Sequence, residues 1–168
     1  MKKTVMLVAT ILSLGTTAQA KTIVEIAAGD DRFTTLVAAV TAAGLAETLS
    51  GPGPFTVYAP VTDAFAALPP GTLDTLLKKE NKAQLTDILL YHVDDRKLLA
   101  GDIPVGSTTF KPVLTSQRLC ITKSSAGVTI ADGTGEMATV IIADLVADNG
   151  VIHVIDKVLI PGKRPACH

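Results

Sequence analysis

The sequence predicts an α+β fold, on three observations. Helical periodicity runs through the first half, from Asp30 to His92; short β-rich runs separated by Gly and Asp take over after Gly106; and no linker, repeat or low-complexity tract separates the halves. Early helices and late, antiparallel-type strands are therefore expected to share one core.

The first twenty residues stand outside that plan. Lys2 and Lys3 precede an apolar run, VMLVATILSLG, too short to span a bilayer, and Ala18-Gln19-Ala20 is a small-residue cleavage site. A secretory signal over 1–20 and a single domain over 21–168 are expected. No later run of about 18 apolar residues follows, so the processed chain is expected to lack a membrane span and to reside in the periplasm or outside the cell. Two of the 15 basic residues, Lys2 and Lys3, fall in the leader, leaving 13 against 16 acidic ones. That balance gives no electrostatic reason to bind nucleic acid. The basic run KKENK, Lys78 to Lys82, is broken by Glu80 and reads as a solvated face.

In DDRFTTLVAAVTAAG, residues Phe33, Leu36, Val37 and Val40 fall at i, i+3, i+4 and i+7, one apolar stripe on a helix. Asp30 or Asp31 can cap its start, and Gly44 suits its end. GPGPFTVYAP reads as a Pro/Gly loop feeding a strand from Phe55 to Ala59 that Pro60 stops. Thr62 then fits a helix N-cap, with Asp63 in the first turn at the positive end of the dipole, and Pro69, Pro70 and Gly71 mark the end. Another helix runs through NKAQLTDILL. Four strand-like runs follow, RLCITKS, GVTIA, MATVIIADL and GVIHVIDKVLI, with Asp132 to Gly135 (DGTG) as a turn.

Histidine and cysteine are the residues that could carry chemistry. Leu85, Ile88, Leu89 and His92 share one apolar stripe if the helix reaches that far, and His92 shares a face with Leu90 if the chain has turned to strand; either geometry turns it inward or half inward. A buried imidazole must be hydrogen-bonded and is usually neutral, so a packing role is expected. Strand alternation puts His153 and Asp156 on opposite faces, where neither can orient the other as base and orienter. An exported chain with two cysteines permits one pairing, Cys120 with Cys167, closing a loop of roughly fifty residues worth roughly 4 kcal/mol in the chain-entropy picture. The alternatives are a free thiol or a metal site using Cys167 and His168. GPGP and DGTG lack the context of a phosphate loop, DGTGE lacks the ligand spacing of a calcium loop, and no nucleophile elbow is present. No enzyme, no metal and no cofactor is expected from these patterns.

Three segments carry a resemblance. GPFTVYAPVTDAFAALP (Gly53 to Pro69), LLYHV (Leu89 to Val93) and NGVIHVIDKVLIP (Asn149 to Pro161) resemble, in order and spacing, the first conserved block, the tyrosine-histidine motif and the second conserved block of the fasciclin domain family. The resemblance covers about Thr22 to Pro161. It implies a wedge of two small β-sheets with flanking α-helices, used as an extracellular adhesion or interaction module. Thr62, Asp63, His92, His153 and Asp156 fall within the motif blocks as structural residues. Asp87, Ile88, Tyr91 and His92 become the adhesion candidates, because the family's Asp-Ile and Tyr-His pairs are tied to recognition in its animal matrix members. The implied partner is a cell-surface or envelope protein, or a second copy of the chain. A small-molecule or metal-binding periplasmic protein using His92, His153 or the Cys167-His168 end is the alternative.

Overall fold

The computed structural model describes residues 21–114 and 116–163 together with Cys167. The leader expected over 1–20 and His168 lie outside the described residues.

Helices come first. The Thr22 hydroxyl accepts a hydrogen bond from the Glu25 amide and the Thr22 amide donates to the Glu25 carboxylate in return, a reciprocal cap that starts α1 (Ile23–Ala28). Asp30 caps a 3-10 turn, Asp31–Phe33, that runs directly into α2 (Thr34–Ala43). Gly44, in the left-handed region at φ 76°, closes α2, a conformation that costs glycine nothing. Phe33, Leu36 and Val40 are buried and Val37 half-buried, the stripe that the spacing gives. A short α3 (Ala46–Ser50) precedes β1 (Phe55–Pro60), α4 (Thr62–Ala66) and α5 (Thr72–Leu76). After a second 3-10 turn, Lys79–Asn81, α6 runs from Lys82 to Tyr91.

Strands β2 (Val93–Asp94), β3 (Gly106–Phe110), β4 (Leu119–Ser124), β5 (Gly127–Ala131), β6 (Met137–Ala147) and β7 (Gly150–Ile155) follow. With β1 they form a hydrogen-bonded series in the order β2-β1-β7-β6-β5-β4-β3. The late strands pair antiparallel, but β1 joins β7 in parallel, so the sheet is mixed. β6 bends it. Its register with β7 slips between Val140 and Ile142 and again between Ile142 and Leu145, and Asp144 takes a positive φ of 59°, which a bulge imposes. The sheet thereby curls into two halves that share β6. One core lies between the helices and the β1–β7 half, around Phe33, Leu36, Val57, Leu89 and Val154. A second lies inside the curl, around Tyr58, Tyr91, Phe110, Ile121 and Ile155.

Three expectations are corrected. Thr62 is not the cap of α4: that position is Val61, extended at ψ 161° and without a side-chain cap bond, because the chain stays extended through Val61, whose amide reaches the Ile155 carbonyl. Thr62 is the first helical residue, and its hydroxyl donates to the Arg32 carbonyl at 3.0 Å, tying α4 to the turn before α2. The strand expected through GVIHVIDKVLI stops at Ile155, since side chains then take over the backbone amides: Leu159 bonds His92 and Ile160 bonds Asp132. Asp156 therefore lies beyond the strand, exposed, with its carboxylate accepting the Thr139 amide at 2.7 Å.

Candidate functional site

The tyrosine-histidine segment sits where α6 ends. His92 is the C-cap of α6, 2% exposed, and its ring bridges two parts of the chain. Nδ1 lies 2.7 Å from the Ile88 carbonyl and so donates to it; Nε2 lies 2.8 Å from the Leu159 amide and so accepts from it. Those two partners fix a neutral imidazole protonated on Nδ1. Desolvation pushes its pKa down to about 4, against the opposing pull of the Ile88 carbonyl and the Asp132 charge. The main chain adds a third tie, as the His92 carbonyl accepts the Tyr58 amide at 2.8 Å. One residue thus joins α6, β1 and the C-terminal segment.

Tyr91 is fully buried in the inner core, and its hydroxyl donates to the Arg118 carbonyl at 2.6 Å. Ile88 faces the helix-side core at 9% exposure, while Asp87, on the same helix, is exposed. Of the four adhesion candidates, only Asp87 therefore presents a side chain to solvent; Ile88, Tyr91 and His92 cannot be touched unless α6 is displaced.

His153 occupies the parallel-paired strand β7, opposite Tyr58, whose ring lies 5.9 Å away in a stacked orientation. Its Nδ1 accepts the Asp144 amide at 3.3 Å and its Nε2 donates to the Leu98 carbonyl at 2.7 Å. His153 thereby clamps the segment after β2 onto the sheet. Thr56, buried on β1, helps from the neighbouring strand: its hydroxyl donates to the Arg96 carbonyl and accepts the Leu98 amide. Asp144 completes the clamp by accepting the Ala100 amide at 2.7 Å. The His92 and His153 rings each have both nitrogens committed to main-chain groups, leaving neither ring free to act as a base or a ligand. Asp63 stands exposed in the first turn of α4.

Cys120, buried on β4, is disulfide-bonded to Cys167, so the tail is tied to the sheet and neither thiol is free. Among the described residues, no group of three or more His, Cys, Asp or Glu side chains could hold a metal ion. No helix among them is long and apolar enough to cross a membrane.

Two organising residues escaped the sequence reading. Asn149 accepts the Ile23 amide at 2.9 Å and donates to the carbonyls of Leu49 and Gly51, joining α1, the end of α3 and the start of β7. Asp132, 1% exposed, accepts from the amides of Thr134 and Glu136 within the turn and from Ile160 of the tail. Both stand at the turn dipeptides Asn149-Gly150 and Asp132-Gly133, the signal from which they could have been found.

These features define a class: an α+β module whose motif polar groups are spent on holding its own chain together. The chain belongs to the fasciclin domain family, whose domain model matches residues 31–161. It is 48% identical over 151 residues to Protein sll1483 of Synechocystis sp., covering 90% of this chain and 79% of that protein. It is 40% identical over 140 residues to transforming growth factor-beta-induced protein ig-h3 of Sus scrofa, covering 83% of this chain but 19% of that protein. Among solved structures, the FAS1 domain pair of the insect cell adhesion molecule Fasciclin I matches with a TM-score of 0.60 at 20% identity, over 77% of this chain and 45% of that one. At that identity the likeness concerns the fold.

Proposed function

We propose that this protein is an exported fasciclin-type module, processed after Ala20, that mediates cell adhesion or protein–protein contact in the periplasm or outside the cell, without catalysis. The fasciclin domain match over residues 31–161 carries the reading. The commitment of both buried histidines to main-chain bonds supports it, because it removes the residues best suited to acid–base work. The partner is a cell-surface or envelope protein or a second copy of the chain, and recognition falls to exposed side chains. Of the four adhesion candidates, the exposed Asp87 on α6 is the one we assign to it. The test presents purified protein to envelope extracts, with saturable capture of a defined protein expected and Asp87→Arg weakening it. Sedimentation over a concentration series reads the homotypic case. Absence of both a saturable partner and self-association would overturn the proposal.

One observation favours the alternative, a small-molecule binding protein. An apolar void of about 40 Å³ lies beneath α1 and α2, lined by Ile23, Leu36, Val40, Val57, Leu89 and His92. About 10–15 Å³ of such space holds one water, so a guest much larger than a few waters requires the surrounding walls to move. Calorimetric titration with haem, zinc and copper separates the readings, and heat unchanged by His92→Ala or His153→Ala excludes those rings as ligands.

A further inference from the structure

The basic run Lys78 to Lys82 folds into a cleft. Lys78, Lys79 and Lys82 line a hollow of about 410 Å³ whose remaining walls are Ala42, Leu77 and Leu85. The hollow lies where α2 ends, α5 has just finished and α6 begins. The Lys82 ammonium reaches Gly44, the cap of α2: a Cβ on that glycine would sit 3.3 Å from it. All three lysines are exposed, and none is in an ion pair among the described residues.

The placement runs against helix electrostatics. The positive end of a helix dipole favours anions, yet the first turn of α6 contains no acid and its N-cap, Asn81, makes no capping bond. The Asn81 amide group donates instead to the Thr75 carbonyl. Lys78 is extended, Lys79 opens a 3-10 turn and Lys82 starts α6, so the turn gathers three like charges around one hollow, where they repel. Glu80 is the one carboxylate within the run and does not line the hollow. In a chain whose residues 21–168 hold more acids than bases, this is a local excess of positive charge around a concave surface.

We propose that this cleft binds a phosphoryl anion, with Lys78, Lys79 and Lys82 as its three cations and Ala42, Leu77 and Leu85 receiving the group that carries it. A phosphoryl group offers three acceptor oxygens and up to two negative charges, which matches three ammonium donors that act as point charges. The bound anion also relieves the lysine repulsion and complements the start of α6. This inference is independent of the adhesion reading, because the cleft is not part of the tyrosine-histidine segment.

The test follows backbone amide resonances of isotope-labelled full protein, as processed by its host, during titration with inorganic phosphate. In parallel, it measures co-sedimentation with phosphatidylcholine vesicles containing or lacking phosphatidylglycerol. Saturable shifts at Ala42, Lys79 and Lys82 are expected. Combined Lys78→Gln, Lys79→Gln and Lys82→Gln should weaken binding at least tenfold with the unfolding midpoint unchanged. Combined Lys21→Gln, Lys97→Gln and Lys111→Gln makes the same charge change elsewhere and should bind as the parent does. A response confined to phosphatidylglycerol vesicles assigns the anion to a lipid headgroup, and one confined to inorganic phosphate assigns it to a soluble phosphate. No saturable response to either probe, or equal loss in the two triple variants, overturns the proposal.

Discussion

Acidification from pH 7 to about pH 4 should cost on the order of 3 kcal/mol of folding stability through His92. The perturbation is protonation of the unfolded chain. An unfolded histidine titrates near 6.5, whereas burial holds the folded His92 pKa down to about 4. At pH 7 both states are largely neutral there and the residue contributes little to the pH dependence. As the pH falls through 6.5 the unfolded chain takes up a proton that the folded ring refuses, so stability declines until the folded pKa is reached. At about 1.4 kcal/mol per pH unit, that interval amounts to about 3 kcal/mol. Protonation in the fold would set an N–H on Nε2 against the Leu159 amide, which now donates to it. The exposed carboxylates act in a different window. Glu25 is held low by bonds from Thr22 and Asp30 by bonds from Arg32, so their contributions persist until pH falls below the ordinary carboxylate range. Urea unfolding between pH 7 and 4.5, with imidazole proton resonances followed in parallel, measures both the decline and its source. A flat stability profile over that range, or a His92 resonance titrating near its unfolded value, would refute the reasoning.

The two buried tyrosines should respond oppositely to loss of their hydroxyls. Tyr91→Phe removes the bond to the Arg118 carbonyl and should destabilise by about 1 kcal/mol, whereas the Tyr58 hydroxyl is buried with no hydrogen-bond partner among the described residues, so Tyr58→Phe should be neutral or stabilising in the same urea assay. Opening the Cys120–Cys167 disulfide by Cys167→Ser should lower stability by up to about 4 kcal/mol, since the bridge spans 47 positions of sequence; an unchanged urea midpoint would count against that role. Gly150→Ala should cost more than 3 kcal/mol or abolish folding, because a Cβ there would sit 1.9 Å from the Phe55 carbonyl across the parallel pair, and near-parental thermal unfolding would contradict the close approach.

The sequence was most informative wherever structure is local. The α2 stripe, its Gly44 cap and the inward turn of His92 follow from residues within two helical turns of one another, so periodicity suffices. The short helices α3 and α5 lack a full amphipathic repeat, and β3, Gly-Ser-Thr-Thr-Phe, has almost no apolar alternation to announce it. The parallel pairing of β1 with β7 joins Phe55 to Gly150, positions linked by no local pattern. The partners of the buried polar groups were hidden for the same reason. That His92 would be satisfied follows from its burial; that Leu159 would satisfy it depends on where the chain goes 67 residues later.

The family's three sequence blocks are one mechanical unit in this chain. The first conserved block supplies β1, whose Tyr58 amide bonds the His92 carbonyl; the tyrosine-histidine motif supplies His92; the second conserved block supplies β7 alongside β1 and then the Leu159 amide that returns to the His92 ring. Removing any of the three leaves polar groups of the other two buried and unpaired, at about 1–3 kcal/mol each. Architecture alone is therefore enough to require these residue types at this spacing, and the tyrosine-histidine pair needs no partner to explain it. Recognition, on this reasoning, belongs to side chains that no motif block specifies. Members of one fold can then differ in partner while sharing the same interior, and surface substitutions such as Asp87→Arg or the lysine triple are the changes that should alter binding without altering stability.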